Sequence, residues 1–158
     1  MVLRTALLVA VLLAGGAAAP EPDVNGPANQ AFVDPVATKE LTGQVKAELE
    51  AVLSYTWSDP DSWRRAVQTY TTGNAKRQLQ GRLDTTLPAI TQQQATAATT
   101  VVALGVRDQR ADHAELLAFL NTNATTQGRS TAITPSSIVV SAQRGAQGWQ
   151  LSDLQVRR

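Results

Sequence analysis

The chain has 158 residues, 43% of them hydrophobic and 4% aromatic, with no cysteine and a formal net charge of +1. That length fits one ordinary domain behind a short leader. Without cysteine there are no disulfides, zinc–thiolate sites or thiol chemistry, and without a basic stripe there is no footprint for nucleic acid.

Residues Thr5–Ala19 are apolar and uncharged, with Arg4 and the amino terminus before them and Pro20-Glu21-Pro22-Asp23 after. A basic start, an apolar middle and a small-residue end read as a signal peptide or a membrane anchor over residues 1–19. As a helix the apolar run would span roughly 22 Å, against about 30 Å of hydrocarbon. In either case the positive-inside rule puts the rest of the chain outside the cytoplasm, with membrane contact through residues 5–19 if the leader stays. Residues 20–33, rich in proline at their start, read as a linker, and 34–158 as one domain.

Asp34-Pro35 opens the first predicted helix as cap and first-turn proline. Leu41, Val45, Leu49, Val52 and Leu53 give it one apolar face to about Thr56, with Gly43 inside the pattern. Asp59-Pro60 opens a second helix in the same way. Trp63, Val67 and Tyr70 share a face there, and Gly73 ends the helix. A third helix is predicted from about Ala75 to Thr86, with Leu79 and Leu83 as its stripe and Pro88 ending or kinking it.

The period then changes. Ala95–Val106 is rich in threonine and valine and reads as a strand, followed by a polar turn at Arg107–Arg110. Ala111–Thr122 is read as a second strand, although Ala114–Leu120 would suit a helix by propensity. A loop at Ala124–Arg129, a strand at Ile133–Gln143, a turn at Arg144–Gly148 and a strand at Trp149–Val156 complete the chain. Trp149 and Leu151 lie on one parity and Leu154 and Val156 on the other, which a bulge at Ser152-Asp153 would reconcile. Helices first and about four antiparallel strands after make an α+β layout, with the long helix covering one face of a curved sheet.

This layout is similar to the nuclear transport factor 2-like, or cystatin-like, cone. The wording narrows it. Asn29-Gln30-Ala31-Phe32-Val33-Asp34, Ala37-Thr38 and Thr42-Gly43-Gln44-Val45 lead into Val52-Leu53-Ser54-Tyr55. Asp59-Pro60-Asp61, Gly73, Thr99-Thr100-Val101-Val102, Gly105-Val106, Leu116–Leu120 and Gly148-Trp149-Gln150-Leu151 follow in order. Together these resemble the actinobacterial Mce-associated (mammalian cell entry-associated) membrane proteins. The resemblance implies a non-enzymatic accessory of an Mce-type lipid or sterol importer, with transporter subunits or other envelope proteins as partners. It implies no catalytic residue and no cofactor. Two further readings stay open: an extracytoplasmic cone that binds or isomerises a small apolar ligand, and an envelope scaffold resembling type IV secretion assembly factors.

Few residues suggest chemistry. Tyr55, Trp57, Trp63 and Tyr70 are the candidate lining of an apolar pocket, and equally candidates for plain core. An isomerase would need a buried carboxylate beside a hydroxyl, for which Tyr55 with Asp84 or Asp153 is the candidate set. Asp59 and Asp61 form a possible acid–base pair, but their Pro60 context suits a helix cap. His113, the one histidine, is expected at a strand end on the surface, and a lone histidine without cysteine makes no metal site. No Gly-x-Ser-x-Gly elbow is present for a serine hydrolase.

Overall fold

The computed structural model describes Asn29, Ala31, residues 34–131 and residues 133–157. The expected leader helix over 1–19 and, apart from Asn29 and Ala31, the linker over 20–33 lie outside the described residues. Helix α1 spans Pro35–Leu53, strand β1 Tyr55–Thr56, helix α2 Pro60–Tyr70 and helix α3 Gly73–Gln92. Strands β2 (Ala95–Gln109), β3 (His113–Thr126), β4 (Arg129–Ser130), β5 (Thr134–Gly145) and β6 (Gly148–Arg157) follow.

Both helix starts form as their aspartate-proline pairs dictate. The Asp34 carboxylate accepts the Ala37 N–H at 2.9 Å, and the Asp59 carboxylate accepts the Ser62 N–H at 3.1 Å. Gly43 sits on the exposed side of α1, where a side chain would meet nothing. Along α1, Leu41, Val45, Leu49 and Val52 are fully buried. The helix stops at Leu53 because Ser54 turns extended and its hydroxyl accepts the Thr99 N–H of β2 at 2.9 Å.

The end of α2 and the start of α3 are set by β6. The Thr72 N–H bonds to the Leu151 carbonyl at 2.8 Å, and Gly73 turns the chain at φ +52° with the Ser152 carbonyl close behind it. Helix α3 is longer than expected and passes through Pro88 to Gln92. An internal proline costs roughly 3 kcal/mol. Burial of Leu87 and Ile90, which continue the stripe of Leu79 and Leu83, offsets that cost.

The sheet is antiparallel and has six strands in the order β1-β2-β3-β5-β6, with β4 paired to β3 off this path. Four of the strands are long, as expected; β1 and β4 are two-residue additions. The Arg107–Arg110 segment is not a turn up to its end. Strand β2 runs on to Gln109 through a second register shift at Val106/Asp108, and an Arg107–Glu115 ion pair at 2.6 Å crosses to β3. Gln109 is buried there and takes a hydrogen bond from the Thr38 hydroxyl at 2.9 Å. The expected loop at 124–129 is likewise shorter. Strand β3 continues to Thr126, and Gln127-Gly128 make the turn with φ +51° and +73°.

Ala114–Leu120 is strand. Ala114, Leu116, Ala118 and Leu120 are buried in alternation, and this two-residue burial period outweighs helix propensity. The bulge in β6 falls at Ser152. Asp153 pairs with Ser141 and Leu151 with Ala142, so Trp149, Leu151 and Leu154 are all buried. One continuous core joins these residues to α1, α2 and α3 on one face of the curled sheet.

Candidate functional site

Four aromatic side chains were candidates for a shared pocket. The structure brings two of them together. Tyr55 leaves the end of α1 on β1, and Trp63 sits one turn into α2; their ring centroids are 5.2 Å apart at 38°. The Trp63 indole N–H donates to the Val52 carbonyl at 2.8 Å, which satisfies one of the carbonyls left open at the end of α1. Both residues are buried, and burial pushes the Tyr55 phenol above its usual range. Trp57, in the turn after β1, is 40% exposed, and Tyr70, at the last position of α2, is 37% exposed. These two do not join the buried pair.

The carboxylates proposed beside Tyr55 do not converge on it. Asp153 lies on β6, at the opposite edge of the sheet from β1, and is held by Asn74 at 2.6 Å and Gln155 at 2.7 Å. Asp84 is exposed on α3. It lines an open groove of about 330 Å³ with Pro60, Arg64, Leu83, Leu87, Pro88 and Thr91. Asp59 caps α2, and Asp61 pairs with Arg64 at 2.6 Å in the same first turn, so both serve the helix. His113 is exposed at the first position of β3, opposite Gln143. Among the described residues no cluster of three or more His, Asp or Glu could hold a metal.

One buried acid was missed by the sequence reading. Glu48 is 6% exposed, on the buried side of α1 among Val45, Leu49 and Val52. One turn before it, the Gln44 amide accepts the Trp149 N–H at the start of β6; one turn after it, Val52 receives Trp63 of α2. Glu48 therefore lies on the flank of α1 that faces α2 and β6. Its Oε2 has no hydrogen-bond partner, and burial pushes its carboxyl from 4.5 up to about 8. At neutral pH the group is mostly a neutral acid. The signal was available in the sequence: Glu48 stands three residues after Val45 and four before Val52, inside the apolar stripe.

Chemically, then, the aromatic pair and Glu48 form a packed interior with one acid in it. The exposed features are the groove between α2 and α3 and the sheet face that the helices leave open.

Neither protein-family models nor curated proteins match the chain. Solved structures do. An IcmL-like type IV secretion system protein from Legionella pneumophila is similar with a TM-score of 0.62 at 7% identity, covering 77% of this chain and 91% of that one. A periplasmic fragment of TraM is similar with a TM-score of 0.59 at 9% identity, covering 77% and 97%. CagV of Helicobacter pylori, a VirB8 homologue of a type IV secretion system, gives 0.57 at 12% identity, covering 75% and 96%. At these identities the likeness is one of fold. With three helices on one face of a curled antiparallel sheet, the chain has the nuclear transport factor 2-like cone fold.

Proposed function

We propose that this chain is a scaffold domain of the cell envelope, carried outside the cytoplasm by its leader and working by protein contact without catalysis. The observation that carries this reading is the pairing of an apolar leader at Thr5–Ala19 with a cone whose relatives in fold include periplasmic and type IV secretion proteins. Among the described residues no helix is long and apolar enough to cross a membrane. Contact as the mode of action is supported by an interior occupied by side chains of α1, α2, α3 and the sheet. It is also supported by the separation of Tyr55 from Asp84 and Asp153.

A second reading is favoured by the ordered residue runs from Asn29 to Leu151: an accessory of an Mce-type lipid importer. Both readings make the domain part of a larger envelope assembly, and they differ in the machine it serves.

The test is an affinity pull-down of the tagged full-length chain from gently solubilised native membranes, with mass spectrometry of bait and partners. Recovery of secretion or conjugation subunits supports the scaffold reading, and recovery of lipid-importer subunits supports the second. A bait that comes down alone from the soluble fraction overturns both.

A further inference from the structure

We propose that the free edge of β2 between its two bulges is a docking site for an extended strand of a partner protein. Strand β2 lies next to the edge of the sheet, and β1 covers only Thr96 and Ala97 of it. Beyond β1 the outward N–H groups are taken one by one by side chains. Thr99 N–H goes to the Ser54 hydroxyl, Val101 N–H to the Glu50 carboxylate at 2.9 Å, and Gln109 N–H to the Asn29 side-chain oxygen at 2.8 Å. The Asn29 amide also donates to the Arg107 carbonyl at 2.8 Å. Between these caps, the register against β3 puts Leu104 opposite Ala118 and Val106 opposite Leu116. Both positions share the inward-facing parity of Val101, and with it the outward direction of the backbone N–H and C=O. Among the described residues nothing bonds to these outward N–H groups of Leu104 and Val106. The register shifts at Val101/Ala103 and Val106/Asp108 bracket them. The result is an uncapped stretch of about five residues, roughly 16 Å long, which is the length of an ordinary strand.

Two neighbours define what would fit. On the sheet face away from the helices, Val102 is 61% exposed and Phe119, opposite Ala103, is 48% exposed. A strand laid on this edge would cover part of both with an apolar side chain. On the helix side, α1 runs beside β2 from the Thr38–Gln109 bond to the Glu50–Val101 bond. The turns between them carry Thr42 and Lys46. Lys46 is exposed and has no ion pair or hydrogen bond among the described residues. An acidic side chain on the incoming strand would meet it. A second copy of this chain is a poor occupant: antiparallel pairing of this edge with itself sets Lys46 against Lys46. The occupant that fits is an extended partner segment with apolar residues at alternate positions and one carboxylate. Such a strand fits this edge whichever envelope machine the domain serves.

The test uses the full-length chain and a capped nine-residue peptide of alternating threonine and valine with one central glutamate. A matched peptide with central lysine is the control. Hydrogen–deuterium exchange over residues 102–106 is followed at about 1 mM peptide, a concentration suited to weak strand addition. The glutamate peptide is expected to slow exchange there about tenfold and to leave the capped Thr99 and Val101 unchanged. Lys46→Glu, an exposed substitution, is expected to weaken the glutamate peptide and strengthen the lysine peptide by about three- to tenfold each. No slowing over 102–106, slowing at another part of the sheet instead, or equal affinities of both peptides for Lys46→Glu and the parent chain would each overturn the proposal.

Discussion

Replacing Glu48 by glutamine tests the reading of the α1 interior most directly. Glu48 is a buried residue, 6% exposed, and burial moves its carboxyl from 4.5 up to about 8. Because the folded state holds the proton more tightly than the unfolded chain, the sign is set: stability is full below about pH 4.5 and falls as pH rises towards 8. Each tenfold change in proton affinity is worth about 1.4 kcal/mol, so the limit over the whole window is roughly 5 kcal/mol. Relaxation and water entry reduce such costs in real proteins, and about 2–3 kcal/mol is the expected loss between pH 5 and pH 8. Glutamine has nearly the same shape and no proton to lose. Urea unfolding of both proteins at pH 5, 7 and 8 is the assay. The glutamine variant should gain on the parent steadily with pH and stand about 2–3 kcal/mol further ahead at pH 8 than at pH 5, or several degrees in Tm for a domain of this size. A difference between the two proteins that stays flat with pH would show that Glu48 is solvated, and the reasoning would fail.

Other substitutions probe single links. Trp63→Phe leaves the Val52 carbonyl without its indole donor and thins the contact with Tyr55, and should lower unfolding stability by about 2 kcal/mol. Asp59→Ala removes the α2 cap and should cost about 1 kcal/mol by the same measurement, with no change in fold by circular dichroism. Gly148→Ala would put a methyl 2.5 Å from the Gln44 amide at φ +116°, and should cost about 2 kcal/mol in thermal or urea unfolding. Adding Gln44→Ala should recover only the part due to contact, since the backbone strain stays; complete recovery would locate the whole cost in the side chain.

The local signals in the chain were strong where one residue decides one event. Asp34-Pro35 and Asp59-Pro60 determine helix starts because a side-chain oxygen and a missing N–H act within a single turn. The change of parity between Trp149 and Leu151 on one side and Leu154 and Val156 on the other pointed to a bulge before any partner strand was known, because side chains on a strand must alternate. The order of helices and strands, and with it the cone, follows from the change of apolar period near Gln94.

What the sequence could not decide depended on who packs against whom. Pro88 reads as an end or a kink of the helix, and α3 runs on past it because Leu87 and Ile90 find a core to enter. Ala114–Leu120, read as strand against its helix propensity, is held in that form because β2 and β5 flank it. Four aromatics looked like one lining, but only Tyr55 and Trp63 face inward, since Trp57 falls in a turn and Tyr70 at a helix end. The spacing of Glu48 in the apolar stripe of α1 shows which face it takes, but only the packing of the fold leaves it buried with one oxygen unpartnered. The β2 edge belongs wholly to the tertiary structure: Asn29 precedes α1 and Glu50 and Ser54 sit at its end, all far in sequence from β2, and only the folded chain shows which backbone groups they leave uncovered. Burial is a property of neighbours, and neighbours far apart in the chain are chosen by the whole fold.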